Sequence, residues 1–380
     1  MRRRAATLAP QLAAADPDAL ALALAAEAMR RHDAMLAGID RYRAHPYRRA
    51  LDDPPALWAA GAARLLDYGG DGPAVLCLCS LINRAYVLDL SARRSLVRWL
   101  AARGLRPLLL DWGDLEPGLD LGRCVTERLE PALAAAVAAN GGPVALLGYC
   151  IGGTLAVALA DRRPDAVGAL ALLAAPWDFA HGDPTGAVRA LARFDPVGPA
   201  PVPLDLLQGY FALLDPGLAQ RKFARFAALA DGGEAEDFVA VEDWLNDGVA
   251  LPAGVARDCL RDWYGDNAPC RGRWRVAGRL VDPARIAVPT LVAVPGTDRI
   301  VPPGCAAALA AAIPGAERLD LDAGHIGMML GPRAEAMLWR PLRDWLVSRA
   351  PGAMPPRRPA APARRRTGRS RPAAAGAAAD

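Results

Sequence analysis

A thiol stands inside Gly148-Tyr149-Cys150-Ile151-Gly152-Gly153, directly after the apolar run Val144-Ala145-Leu146-Leu147. The pattern reads as a strand, a hairpin-tight turn and a helix, with Cys150 at the apex. Such a turn strains the backbone of its apex residue. Side chains two positions before or after would collide with the turn, so glycine is favoured there. The start of the following helix points backbone N–H groups at the sulfur, which favours the reactive thiolate. A nucleophile of this kind needs a base, and the base needs an orienting acid. Of His32, His45, His181 and His325, only His325 follows a late strand (Glu317-Arg318-Leu319-Asp320-Leu321), in the turn-prone Gly324-His325-Ile326-Gly327. Asp298 follows the preceding strand, within Pro295-Gly296-Thr297-Asp298. Asp322 is the alternative acid, but it reads better as a solvated or capping carboxylate. A free cysteine is ordinarily a small core residue. Here none of Ser80, Ser91, Ser95, Ser348 and Ser370 sits in a comparable turn, which leaves Cys150 as the nucleophile.

These residues need elements that present them. From residue 74 the pattern alternates: strand Ala74–Cys79, helix Ser91–Arg103, strand Pro107–Leu110, helix Gly122–Ala139, strand Pro143–Leu147, the helix from Gly152, and strand Ala166–Leu173. It resumes with the strand Pro289-Thr290-Leu291-Val292-Ala293-Val294. Alternation of this kind predicts a mostly parallel sheet with helices on both faces. A Gly-x-nucleophile-x-Gly turn on that sheet is the elbow of an α/β-hydrolase, with cysteine in place of the usual serine. Its oxyanion hole should use the N–H of Ile151 and one from the loop after the first of these strands, either Leu81 or Ile82. Between about 175 and 285 the alternation stops. That interval holds 12 of the 22 aromatic residues, including all six phenylalanines. Most of them should form the core of an inserted helical subdomain. Others should make an apolar lid that excludes water from the elbow and grips an acyl chain. The expected organisation is thus 1–69 helical, 70–174 and 286–350 the hydrolase core, 175–285 a lid, and 351–380 a disordered tail. Asp16-Pro17-Asp18 opens an amphipathic helix over 18–40.

The chain resembles the polyhydroxyalkanoate (PHA) synthases over about residues 70–348. The resemblance rests on Ser80-Leu81-Ile82-Asn83-Arg84-Ala85-Tyr86-Val87-Leu88-Asp89-Leu90, the Cys150 turn, Gly296-Thr297-Asp298 and Gly324-His325-Ile326. Trp244-Leu245-Asn246-Asp247, Trp263-Tyr264 and Asn267 are similar to a Trp-Asn-x-Asp and Tyr-x-x-Asn region of the same family, with Leu245 inserted. The resemblance implies an acyltransferase that polymerises (R)-3-hydroxyacyl-CoA through a thioester on Cys150. His325 would be the base and Asp298 its partner; Asn83, Trp244, Asp247 and Tyr149 are candidate substrate or lid contacts. No cofactor or metal is implied. With only about 70 residues before the core, the chain is nearer in size to the short synthases that work with a second, different subunit. A homodimer is a further partner expectation. Two other readings use the same residues: a cysteine hydrolase of thioesters or polyester oligomers, with water as acceptor, or a non-catalytic granule subunit.

Composition narrows the setting. The net charge of +4 is uneven, because seven arginines after Pro351 face Asp380 alone and leave about −2 for the rest. Lys222 is the only lysine, so the arginines reflect composition rather than nucleic-acid recognition. Cys77, Cys79, Cys124, Cys150, Cys259, Cys270 and Cys305 are odd in number and lack a Cys-x-x-Cys pair, which argues against a disulfide framework or zinc site. No run of about 18 apolar residues predicts a membrane span. Asp16, Asp18 and Glu27 interrupt the N-terminal apolar stretch, unlike a secretory signal. The expected place is the cytoplasm, with the PHA granule surface as the site that the resemblance implies.

Overall fold

The computed structural model describes residues 2–181 and 200–349. The expected tail, 351–380, and part of the expected lid, 182–199, lie outside them. One eight-stranded sheet organises the rest: β1 (Ala56–Ala60), β2 (Ala63–Asp67), β3 (Ala74–Leu78), β4 (Arg106–Asp111), β5 (Val144–Tyr149), β6 (Val167–Leu173), β7 (Thr290–Pro295) and β8 (Glu317–Leu321). Their spatial order is β1-β2-β4-β3-β5-β6-β7-β8. Only β2 runs antiparallel to its neighbours; the other pairs are parallel. This is the expected α/β-hydrolase architecture.

The central strands are apolar along their whole length because both faces are covered. β3, β5 and β7 are buried at every residue. Val75, Cys77, Ala145 and Leu147 pack into one layer with the helices Leu96–Ala101 and Arg340–Arg349. Leu76, Leu78, Val144 and Leu146 pack into the other, with Glu130–Asn140, Ile151–Arg162 and Pro303–Ala312. At the edge, β8 exposes Glu317, Arg318 and Asp320, charges that discourage pairing with another chain.

The N-terminal segment departs from the helical expectation. Helix Pro17–Ala44 is present, capped by Asp16, whose carboxylate accepts from the N–H groups of Asp18 at 2.9 Å and Ala19 at 3.0 Å. Residues 56–67, however, form the β1–β2 hairpin. Ala56-Leu57-Trp58-Ala59-Ala60 carries little strand propensity; the hairpin forms because β2 pairs with β4, Leu65 opposite Leu110. The helix expected over Ser91–Arg103 is likewise only Leu96–Ala101. Asp89–Ser91 and Arg94–Ser95 pair as a small ribbon instead.

Within the β6–β7 insertion the described helices are Leu204–Leu214, Leu218–Ala227, Gly233–Asn246 and Ala253–Arg257, the last running on as a π turn over Asp258–Gly265. Its aromatics divide. Trp177, Phe179, Trp263 and Trp274 pack edge to face or tilted and belong to the main core. Phe226 and Phe238 stack at 4.2 Å in a separate small core. The N-terminal helix closes on that second core. A Cβ on Gly38 would lie 1.9 Å from the Phe223 carbonyl oxygen, so the helices meet backbone to backbone. Arg41 Nη1 donates to the Phe226 carbonyl at 2.6 Å.

Asp89 is fully buried. It accepts from Ser95 Oγ at 2.6 Å, Arg98 Nε at 2.8 Å and Nη2 at 2.9 Å, Tyr68 Oη at 3.0 Å and Arg49 Nη2 at 3.3 Å. Removing one member of such a cluster strands its partners. Asp89→Ala should therefore cost about 3 kcal/mol of folding free energy, read as a lower urea midpoint at unchanged slope.

Candidate active site

Cys150 directly follows β5 with φ 57° and ψ −132°, a conformation that a residue with a side chain rarely adopts. The neighbouring glycines have no room for a side chain. A Cβ on Gly148 would lie 2.4 Å from Gly153 Cα, and one on Gly153 would lie 2.4 Å from Ala175 Cβ. On Gly152 it would lie 2.3 Å from the Leu78 oxygen and 2.7 Å from that of Cys79. Backbone therefore packs on backbone, holding the first turn of helix Ile151–Arg162 against the end of β3.

His325 lies in the loop after β8 and Asp298 in the loop after β7, both buried. His325 Nδ1 meets Asp298 Oδ2 at 2.6 Å. The other carboxylate oxygen accepts from the N–H groups of Ile300 at 2.8 Å and Val301 at 2.9 Å, which fixes the acid. A carboxylate only accepts, so Nδ1 carries a proton, and Nε2 is the ring nitrogen not engaged by Asp298. Burial opposes charge on the imidazole. The Cys150 sulfur and the Asp298 carboxylate outweigh it, and the pKa is pushed up to about 10. By contrast, burial pushes the thiols of Cys77, Cys124 and Cys305 up to about 12, as expected of packing residues. Asp322 pairs with the exposed Arg333 at 3.1 Å and does not meet the imidazole.

The remaining candidates separate. Tyr149 is buried beneath the base: its ring stacks on His325 with centroids 5.0 Å apart, and its hydroxyl donates to the His325 carbonyl at 3.1 Å. It supports the imidazole from behind. Trp244 Nε1 donates to the Arg84 carbonyl at 2.8 Å. Asp247 accepts from Tyr86 Oη at 3.0 Å and from Arg84 Nε at 3.5 Å. Asn83 pairs with Gly248 in an isolated antiparallel bridge. The polar groups of Trp244 and Asp247, read from sequence as substrate or lid candidates, are thus engaged with the loop after β3. Linear spacing could not show this, because the two segments lie 160 residues apart. The part of Tyr86 was missed, although it stands within the motif that carries the resemblance. The N–H of Ile82 is taken by Ser80 Oγ at 3.2 Å. Those of Leu81 and Ile151 meet no acceptor among the described residues.

A buried carboxylate–imidazole pair and a cysteine on a strand–helix elbow are laid out on this sheet as in an α/β-hydrolase, and the comparisons show the same fold. The α/β-hydrolase fold family model matches residues 134–332, and the chain belongs to that family. Two solved structures share the fold: an α/β-hydrolase fold protein from Nakamurella multipartita (TM-score 0.50, 21% identity, 78% of this chain and 99% of that one) and Rv0554 from Mycobacterium tuberculosis (0.51, 19%, 75% and 94%). Within the fold, the chain belongs to the PhaC family of poly(3-hydroxyalkanoate) polymerase subunits. It is 31% identical over 296 residues to the Haloferax mediterranei subunit, covering 73% of this chain and 59% of that one. It is 30% identical over 300 residues to the Synechocystis subunit, covering 72% and 78%. The chain thus spans less than two thirds of the haloarchaeal relatives, 59% and 62% of their lengths.

A histidine pKa raised from about 6.5 to about 10 stabilises the fold fully below about 6.5, and that contribution is lost as pH rises through about 10. Asp298→Asn removes the carboxylate charge that meets the ring. His325 should then titrate closer to its ordinary value in imidazole NMR, and the loss of stability in urea titrations should move to lower pH.

Proposed function

We propose that the protein is a PHA synthase-type acyltransferase that polymerises (R)-3-hydroxyacyl-CoA through a thioester on Cys150. The carrying observation is the buried Asp298–His325 pair in the electrostatic neighbourhood of Cys150, which stands at a strained elbow; membership in the PhaC family supports the substrate class. In the first half-reaction His325 Nε2 takes the thiol proton and the sulfur attacks the thioester carbonyl. The oxyanion is met by the N–H of Ile151 and of Leu81 or Ile82. The tetrahedral adduct collapses, and CoA leaves as a thiolate that takes the proton back from the imidazolium. The acyl group stays a thioester, so its activation is retained.

In the second half-reaction the hydroxyl of a chain end gives its proton to Nε2 and attacks the Cys150 thioester. An ester bond forms and the sulfur is released. The β6–β7 insertion acts as the lid that favours alcohol over water as acceptor. The relatives are named as subunits, which supports work beside a second synthase subunit; the homodimer is a further proposed assembly. The proposed setting is the cytoplasm, at the surface of the polyester granule. No helix among the described residues is long and apolar enough to cross a membrane.

Incubation with labelled (R)-3-hydroxybutyryl-CoA should place label on the peptide carrying Cys150, with a mass that grows with added substrate. Cys150→Ala should abolish labelling and slow CoA release by more than about 1,000-fold. Release of CoA with only free hydroxy acid as product would reject polymerisation and leave a thioesterase.

A further inference from the structure

The β6–β7 insertion clasps the loop after β3, and the clasp bears on the residue beside the Cys150 turn. Besides the Trp244–Arg84, Asp247–Tyr86 and Asn83–Gly248 contacts, Val249 N donates to the Ile82 carbonyl at 3.0 Å. Arg84 also pairs with Asp114 at 2.8 Å, in the loop after β4. From the core side, Trp112 Nε1 donates to the Cys79 carbonyl at 3.2 Å. Residues 79–86 are therefore held at both ends, by the core near Cys79 and by the insertion from Ile82 onward. Gly152 sits against the carbonyls of Leu78 and Cys79, so this loop starts beside the first turn of the elbow helix. Of the two loop donors that could serve a thioester oxygen, Ile82 is committed to Ser80 and Leu81 is open.

We propose that Trp244 and Asp247 are positioning residues that fix the loop so that the N–H of Leu81 completes the oxyanion hole with that of Ile151. Insertion and hole then form one unit: unless residues 244–249 are seated, the donor is not set. This inference rests on the thioester reading of Cys150. It assigns Trp244 and Asp247 a part in the reaction that needs no contact with substrate.

Two reactions of the same sulfur separate positioning from general damage. Alkylation by iodoacetamide requires a thiolate and access but develops no oxyanion; acylation by a thioester or by p-nitrophenyl acetate requires both oxyanion donors. In the full-length protein, Trp244→Phe keeps an aromatic ring, though a smaller one, and deletes the N–H. Asp247→Ala deletes the acceptor, Asp247→Asn keeps one, and Tyr86→Phe is the mildest break. Single-turnover acylation should fall about 10-fold or more in Trp244→Phe and Asp247→Ala and largely recover in Asp247→Asn. Alkylation should stay within about twofold of the parent. Tyr86→Phe should show the same split in smaller measure, and it serves if the other variants do not fold. Equal loss of both reactions, or no loss of acylation, would overturn the inference. Failure of the parent to be labelled by hydroxyacyl-CoA would instead sink the thioester reading. The p-nitrophenyl acetate comparison then still tests the clasp.

Discussion

The site depends on a backbone conformation that only close packing can sustain. A positive φ at Cys150 costs on the order of 1–3 kcal/mol, and the surrounding chain leaves it nowhere to relax. Gly148 against Gly153, Gly152 against β3, and Gly153 against Ala175 are contacts of backbone on backbone or methyl. The same strand ends that confine the thiol carry the other two members of the site. Cys150 N donates to the Leu173 carbonyl of β6 at 3.0 Å, and Ala174 N to Ala293 of β7 at 3.0 Å. Gly296 N then reaches Leu321 of β8 at 2.7 Å, and Thr297 N reaches Ala323 at 3.0 Å. Cys150, Asp298 and His325 thus hang from one stitched row at the ends of parallel strands, and their separations follow from sheet geometry.

Electrostatics completes what the sheet positions. An imidazole buried this deeply would ordinarily lose its proton more readily, because burial penalises charge. Here a carboxylate held by two backbone donors lies on one side and a sulfur on the other, and their attraction wins. Tyr149 supplies a floor for the ring and ties its backbone, so the imidazole keeps its orientation.

The insertion is bound on two sides. Trp177, Phe179, Trp263 and Trp274 make part of it continuous with the hydrolase core, while Phe226 and Phe238 belong to a small core shared with Tyr42 of the N-terminal helix. Gly38 lets that helix approach closely, and Arg41 locks it to the carbonyls at the end of Leu218–Ala227. The helix that precedes the sheet in sequence therefore braces the outer part of the β6–β7 insertion.

Much of this was legible in the residues themselves. The glycines about Cys150 announce a turn with no space for side chains, and the Asp16-Pro17-Asp18 cap announces the long helix, because both are local steric and hydrogen-bonding rules. Runs such as Val144–Leu147 and Thr290–Val294 announce buried parallel strands; Asp298 stands in the loop after the second of them, and His325 in the loop after Glu317–Leu321. The hairpin at 56–67 was hidden, since its alanines become strand only by pairing with β4. The purpose of Tyr149, Trp244 and Asp247 was hidden too. A side chain's chemistry is written in its type, but its partner is decided by which distant segment the fold brings against it. Tertiary packing alone turned a tyrosine toward the imidazole behind it, and a tryptophan and an aspartate toward a loop 160 residues away.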